Sequence, residues 1–596
     1  MGIGTIGLIA AFLLSEGWIR ALTALAAWLV VGWPTITSAL LGLVKGRVFD
    51  ENLLMFIATV GAFLLGEHAE AVAVMLFFAV GEWVQGRAEA RSRRSIADLM
   101  ELKADTALLL RSGVQVEVDP TDVPVGEFIV VRPGDRIPLD GIIVDGSSAL
   151  DTAALTGESV PRDVFTGCEV YSGCVNLSGQ ITIRVTKPYA DSTVQKILEL
   201  VENASERKAR TDRFITRFAR FYTPAVVAAA VLLALIPSLA TGDWNLWVHR
   251  ALMLLVVSCP CALVLSVPLT YFSGIGGAAR RGILIKGANY MDALANAKTV
   301  AFDKTGTLTR GTLTLSHADP VGVSEERLLE YAAILESASD HPLAAAVLRS
   351  YGKNPDLSRL HDAHAVPGMG MEGIIDGHRA RAGNARLLEG IVLPETRGTV
   401  IHVALDEDYI GTLFFSDTLK EESVEAIAQL KAIGIEKTVL LTGDDPTAAE
   451  ECASGLGITQ VHAALLPGDK VRHVEALTNA RDGNVLYVGD GINDAPVLAR
   501  SDVGIAMGGF GSDAAIEAAD VVLMRDDPRC VAEAITISRR TCRIVTQNIA
   551  LSLVIKLGVM LLVVLGYANM WQAVFADVGV AVCAILNASR AACRLE

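Results

Sequence analysis

Asp303 stands directly after the apolar run Thr299-Val300-Ala301-Phe302 and opens Asp303-Lys304-Thr305-Gly306-Thr307-Leu308-Thr309. A carboxylate at a strand's end can attack a phosphoryl group and form an acyl phosphate. Lys304, Thr305 and Gly306 then offer charge, a hydroxyl and close backbone approach, which a transferring phosphoryl group needs. Two later runs end in the same way. Thr442-Gly443-Asp444 follows Thr438-Val439-Leu440-Leu441, and Gly489-Asp490-Gly491-Ile492-Asn493-Asp494 follows Val485-Leu486-Tyr487-Val488. Asp490 and Asp494 are hard oxygen ligands suited to magnesium. Lys470 is a point charge for the phosphate. One Gly-Asp pair is an ordinary turn; three such clusters in one α/β unit point to a site, because these sheets gather ligands at one edge.

A second constellation is apolar in setting. Cys259-Pro260-Cys261 lies inside a long hydrophobic segment, where Pro260 breaks the helix ladder and two thiols can form a soft metal site. Lys556 and Asp577 each interrupt a later hydrophobic segment. A charge near a bilayer centre costs roughly 2.5–3.5 kcal/mol on insertion scales, so such groups pair or serve transport. The bland alternatives are cysteines acting as small hydrophobes and a static ion pair fixing helix packing. Glu70 and Glu82 are further carboxylates in an apolar segment, Glu70 a candidate for an exit path.

The elements that must carry these residues follow from the hydropathy pattern. The chain has 596 residues, 52% of them hydrophobic, and a mean hydropathy of +0.42. That excludes an ordinary soluble enzyme and indicates several domains with membrane spans. Apolar segments cluster as Gly2–Leu14, Ile19–Leu43, Leu53–Leu65 and Ala69–Val84, then Phe221–Ala240 and Leu246–Ile275, then Ile549–Gly566 and Trp571–Ala588. About eight spans are expected. Gly32-Trp33-Pro34 is expected to kink the second. Basic clusters at Arg87–Arg94, Arg207–Arg220, Arg280–Lys286 and Arg539–Arg543 put both polar inserts on the cytosolic side. The first insert, residues 95–205, alternates in short runs broken by Gly and Pro and reads as a small β domain. The second, residues 280–540, alternates strands and helices as a parallel α/β sheet does, with an inserted stretch at 312–414. The net charge of −16 argues against nucleic acid as a partner. The 9 cysteines are scattered and form no disulfide framework.

Asp303-Lys304-Thr305-Gly306-Thr307-Leu308-Thr309, with Thr442-Gly443-Asp444 and Gly489-Asp490-Gly491-Ile492-Asn493-Asp494-Ala495-Pro496, resembles the phosphorylation domain of P-type ATPases. Cys259-Pro260-Cys261 is similar to the heavy-metal, type IB branch. The resemblance covers almost the whole chain. It implies that Asp303 is phosphorylated, that Asp490 and Asp494 hold magnesium or orient the site with Asp303, and that Thr305, Thr442 and Lys470 bind the phosphoryl group. Thr156-Gly157-Glu158-Ser159 resembles the actuator loop, where Glu158 would act as the base for dephosphorylation. Glu336, Ser339, His341 and Pro342, with Gly368 and Gly370, resemble the nucleotide-binding motif; Asp444 is a further cofactor-binding candidate. The implied fold is a multidomain membrane protein. It combines an α-helical transmembrane bundle, a β actuator domain, a haloacid-dehalogenase-like α/β phosphorylation domain and an inserted α+β nucleotide-binding domain. The expected boundaries are 1–94 for four spans, 95–205 for the actuator, 206–279 for two spans, 280–311 and 415–540 for phosphorylation, 312–414 for nucleotide and 541–596 for two spans.

Leu553-Val554-Ile555-Lys556 and Phe575-Ala576-Asp577-Val578-Gly579 stand where copper exporters would carry Tyr-Asn, Met and Ser. They resemble the zinc, cadmium and lead exporters, so Cys259, Cys261 and Asp577 would bind a soft divalent ion, with Lys556 as built-in counter-ion. ATP and Mg2+ are the expected cofactors, and ATP, the metal ion and lipid the expected partners of a single chain in a bacterial inner membrane. No Gly-Met-Thr-Cys-x-x-Cys or His-rich tail stands ahead of the first apolar segment, so delivery by such a domain is not expected. Export of cobalt or copper, or a membrane-tethered phosphatase, are the alternatives. Such phosphatases usually carry a second acid where Thr305 stands. A passive channel or sensor would not need Asp303 and Glu158.

Overall fold

A computed structural model of the chain describes residues 18–44, 51–97, 104, 106–111, 113–152, 161–196, 210–258, 261–339, 341–394, 396, 398–480, 482–490, 494–508 and 513–592. The chain forms two compact units, Met1–Asn296 with Ala534–Glu596, and Ala297–Glu533.

The first unit is built on long apolar helices: α1 (Trp18–Val44), α2 (Glu51–Leu64), α3 (His68–Ala97), α4 (Arg210–Thr241), α5 (Trp244–Val257), α6 (Cys261–Ala279), α7 (Arg529–Leu565, entering this unit from the other) and α8 (Met570–Ser589). Small and β-branched residues let them pack closely: Ala58, Ala62, Ala71, Val257, Val563 and Ala573 share one core. Leu232, Ile236 and Leu239 of α4 and Leu557 and Leu561 of α7 stay exposed, which suits a lipid-facing surface. Among the described residues, Ala21–Val44, Pro224–Thr241, Arg529–Leu565 and Gln572–Ala592 are long and apolar enough to cross a membrane. Asn52–Leu64, Trp244–Val257 and Leu263–Ala279 are shorter apolar helices. The expected first span, Gly2–Leu14, lies outside the described residues. The segment read as one span at Leu246–Ile275 is two helices, α5 ending at Val257 and α6 starting at Cys261. Pro34 sits inside an uninterrupted α1.

The same unit holds the β domain. Its six-stranded antiparallel sheet runs Val114–Val118, Ala107–Arg111, Phe128–Val131, Ile181–Val185, Gly141–Asp145, Glu169–Val170, and a three-stranded sheet joins Arg162–Phe165, Ser147–Asp151 and Val175–Asn176. Alternating Ile181, Ile183 and Val185 are buried, the period-two pattern of a half-buried strand. Buried Asp140 ties two loops to it, accepting from Ser172 N and Oγ, each at 2.8 Å, and from Thr193 Oγ1 at 2.8 Å.

The second unit contains a parallel sheet and an antiparallel one. The parallel strands are β1 (Ala297–Asp303), β2 (Lys437–Leu441), β3 (Gln460–His462), β4 (Asn484–Gly489), β5 (Val503–Met507) and β6 (Val521–Leu523), in spatial order β6-β5-β4-β1-β2-β3. β1 is central, in parallel register with β2 (Asp303 opposite Leu441) and β4 (Phe302 opposite Val488). Val300, Ala301 and Phe302 are fully buried, as strands covered on both faces require. The antiparallel sheet has the order Thr309–Pro320, Asp408–Leu419, Thr399–Leu405, His378–Gly383, Gly370–Ile375, Leu360–Val366. Its first and second strands carry the chain out of the parallel sheet and back. Helices Glu325–Glu336 and Pro342–Tyr351 cover it around a core that includes Leu328, Ile334, Val347, Ile401 and Leu413.

Candidate functional site

β1 delivers Asp303 to the C-terminal edge of the parallel sheet, where β2 and β4 deliver Thr442 and Asp490. Carboxylate oxygens of Asp303, Asp490 and Asp494 lie within 4.8 Å of one another. Lys470, from helix Pro467–Asn479, donates to Asp303 Oδ1 at 2.6 Å and to Asp494 Oδ1 at 3.1 Å. Lys304 pairs with Asp444. Thr442 Oγ1 accepts from the Asp444 amide at 3.1 Å, and Thr305 is exposed.

The electrostatics set the chemistry. Burial, then the Asp494 carboxylate, push Asp303 above the usual carboxylate range, against the pull of Lys470. Asp490 is raised for the same first two reasons. Burial opposes the charge on Lys470, but Asp303 and Asp494 outweigh it and hold the ammonium charged. Lys470 touches Asp303 and Asp494 but not Asp490, so the three close carboxylates keep negative charge unmet. That hard oxygen set fits magnesium.

The loop after Asp303 is held by groups the sequence did not single out. Gly306 has φ +73°, and a Cβ there would run into the Asp490 carboxylate. Buried Lys420 donates to Gly306 O at 2.8 Å, Thr307 O at 3.2 Å and Asp526 Oδ1 at 2.6 Å. Thr309 Oγ1 donates to Asp417 Oδ2 at 2.5 Å. Lys420 follows a strand as many surface lysines do, so its type and spacing gave no signal.

Glu336, Ser339, His341, Gly368 and Gly370 line one cavity of about 330 Å3 in the second unit. Burial pushes Glu336 up to about 7, the hydrogen bond from Ser339 opposing it. His341 caps helix Pro342–Tyr351: its Nδ1 accepts from Leu343 N at 3.2 Å, which leaves Nε2 for a ligand. The two glycines differ. At Gly370 a Cβ would meet the Ala382 carbonyl, whereas at Gly368 only the turn conformation, φ +71°, favours glycine. Asn384, another residue not read from sequence, donates to Gly368 O at 3.0 Å and steadies that turn. Asp444 lies with Lys304 and not among the cavity's lining residues.

In the first unit, Lys556 of α7 pairs with Asp577 of α8. Glu70 stands in the first turn of α3, and its Oε2 is buried without a hydrogen-bond partner among the described residues. Glu82 of the same helix is exposed. Cys261 opens α6. Cys259 and Glu158 lie outside the described residues.

Comparison with known proteins agrees with this architecture. The P-type ATPase actuator domain matches residues 101–202, and the haloacid dehalogenase-like hydrolase family matches residues 297–502. A cadmium, zinc and cobalt-transporting ATPase of Bacillus subtilis is 49% identical over 98% of this chain and 84% of its own length. A zinc-transporting ATPase of Synechocystis is 50% identical over 95% of this chain and 80% of its own. The crystal structure of a zinc-transporting PIB-type ATPase in its E2·Pi state is 36% identical, with a TM-score of 0.63 over 99% of this chain and 98% of that one. With a phosphorylation-type sheet edge, an actuator-type β domain and apolar helices bearing a buried ion pair, the chain belongs to the heavy-metal-transporting, type IB branch of the P-type ATPases.

Proposed function

We propose that this chain exports zinc, and also cadmium and lead, from the cytosol, driven by ATP through an aspartyl phosphate at Asp303. The observation that carries the reading is the grouping of Asp303, Asp490, Asp494 and Lys470 at one sheet edge. A carboxylate beside an ammonium and two further acids is equipped to accept a phosphoryl group and to hold the charge that develops. Magnesium, held by Asp303 and Asp490 with Asp494 beside them, would neutralise charge on the transferring group. Lys470 steadies the phosphoryl oxygens, Thr305 and Thr442 contribute hydroxyls, and Lys304 is held in place by Asp444. Glu158 is the proposed base for the water that hydrolyses the aspartyl phosphate. ATP's adenosine end occupies the cavity of Glu336, His341, Gly368 and Gly370.

The cargo site proposed is Cys259, Cys261 and Asp577, with Lys556 replacing the ion on Asp577 at release and Glu70 on the exit path. Two thiolates and a carboxylate suit a borderline divalent ion. The relatives' names carry zinc, cadmium and cobalt, which makes cobalt the second reading. Lead is included on ligand chemistry alone. The proposed setting is a single chain in a bacterial inner membrane. In lipid vesicles the chain should hydrolyse ATP in a vanadate-sensitive way, severalfold faster with zinc or cadmium. ATP hydrolysis indifferent to metal would contradict the exporter reading.

A further inference from the structure

Lys556 is buried, and its ammonium is bound to Asp577. On the exporter reading, which this inference rests on, a metal ion takes Asp577 and the ammonium must leave it. A buried ammonium that loses its carboxylate is costly unless other acceptors receive it. Two candidates stand on its own helix and on α6, which packs against it. Ser552 of α7 and Ser266 of α6 are both 0% exposed, and neither hydroxyl has a hydrogen-bond partner among the described residues. Thr270 donates to Ser266 O at 2.6 Å and Thr541 to Ile537 O at 2.9 Å, the usual bond back to the preceding turn, while Ser538 of α7, likewise without a partner among the described residues, stands several turns before Ser552 and out of reach of Lys556.

Helix geometry brings the hydroxyls of Ser552 and Ser266 toward one level. Asn548 of α7 donates to Thr270 Oγ1 of α6 at 3.4 Å and to Ala584 O of α8 at 3.1 Å, and Asn587 donates back to Asn548 Oδ1 at 2.9 Å. Gly274 faces Thr541. The residue numbers therefore fall along α6 as they rise along α7, so the two helices are antiparallel here. One turn beyond the Asn548–Thr270 contact stand Ser552 on α7 and Ser266 on α6, each four residues along and on the same face as its predecessor. Lys556 comes one further turn along α7. Helical side chains lean toward the N-terminus, so the Lys556 stem lies over the turn that carries Ser552.

We propose that Ser552 and Ser266 form a docking site for the Lys556 ammonium, occupied when a metal ion holds Asp577. The lysine would swing between a carboxylate and two hydroxyls, and metal binding would be favourable because the displaced charge has acceptors waiting. Ser552 and Ser266 are then positioning residues that act through Lys556.

Zinc binding by the full chain in nanodiscs, without nucleotide, tests this. Ser552→Ala with Ser266→Ala should weaken zinc binding about tenfold, the loss of a hydrogen bond to a charged group. Ser552→Thr, which keeps the hydroxyl, should restore most of the affinity in a Ser552→Ala comparison. In a Lys556→Met background the serine changes should have no effect, because the group they receive is gone. An undiminished affinity in the double serine variant would overturn the docking site. So would an equal loss in the Lys556→Met background, which would mark the hydroxyls as structural or as metal contacts. A wild-type chain that binds no zinc would overturn the exporter reading itself, a result separable from either of these.

Discussion

Glu336 is a buried carboxyl in a cavity whose other lining groups are neutral glycines, apolar side chains, Ser339, His341 and Asn384. With burial pushing it up to about 7, it changes charge in the working pH range. An adenine amino group is a donor and favours the ionised acceptor. A ligand that favours the ionised form binds more weakly as protons compete. Nucleotide affinity should therefore fall as pH drops through about 7, and Glu336→Gln should bind more weakly but without that pH dependence. Calorimetric titration with ATP between pH 6 and pH 8 reads both. An unchanged pH profile in Glu336→Gln would remove Glu336 from nucleotide recognition. At this scale the residues legible in sequence were those in strong motifs, such as Asp303, Asp490 and Asp494. Lys420 and Asn384 were not legible, because what they do is bond to backbone carbonyls of Gly306 and Gly368, a contact set by tertiary folding.

The loop after β1 shows how an element fixes the site. Gly306 takes a left-handed conformation against Asp490, so Gly306→Ala combines backbone strain with a collision at an acid that the proposed magnesium needs. That variant should lose at least tenfold in magnesium-dependent phosphorylation while nucleotide affinity at the cavity stays near wild type. Equal phosphorylation in Gly306→Ala would show that the Asp490 placement tolerates the change. Apolar runs ending in Asp303, Thr442 and Asp490 already indicated parallel strands, and the sheet edge joins them. The order β6-β5-β4-β1-β2-β3 was not legible, since a buried parallel strand is a continuous apolar run that does not name its neighbours. The split of Leu246–Ile275 into α5 and α6 was half legible: Pro260 announced a break, but hydropathy ran straight across it.

In the whole molecule the proposed cycle couples two chemistries that lie far apart in sequence, phosphoryl transfer at Asp303 and soft-metal binding at Cys259, Cys261 and Asp577. Hydropathy marked the long apolar helices, because lipid and water impose opposite compositions, and four of them among the described residues are long enough to cross a membrane. The pairing of Lys556 with Asp577 was legible, since two lone opposite charges in apolar segments need a partner, and the structure joins them. In that cycle, metal in the membrane site licenses phosphorylation of Asp303. The direct measurement is the amount of acid-stable, hydroxylamine-sensitive phosphoenzyme formed from γ-labelled ATP with and without zinc. The label should require zinc or cadmium, be absent in Asp303→Asn, and fall at least tenfold in Asp577→Asn. Label of equal size without metal, or label retained in Asp303→Asn, would contradict it.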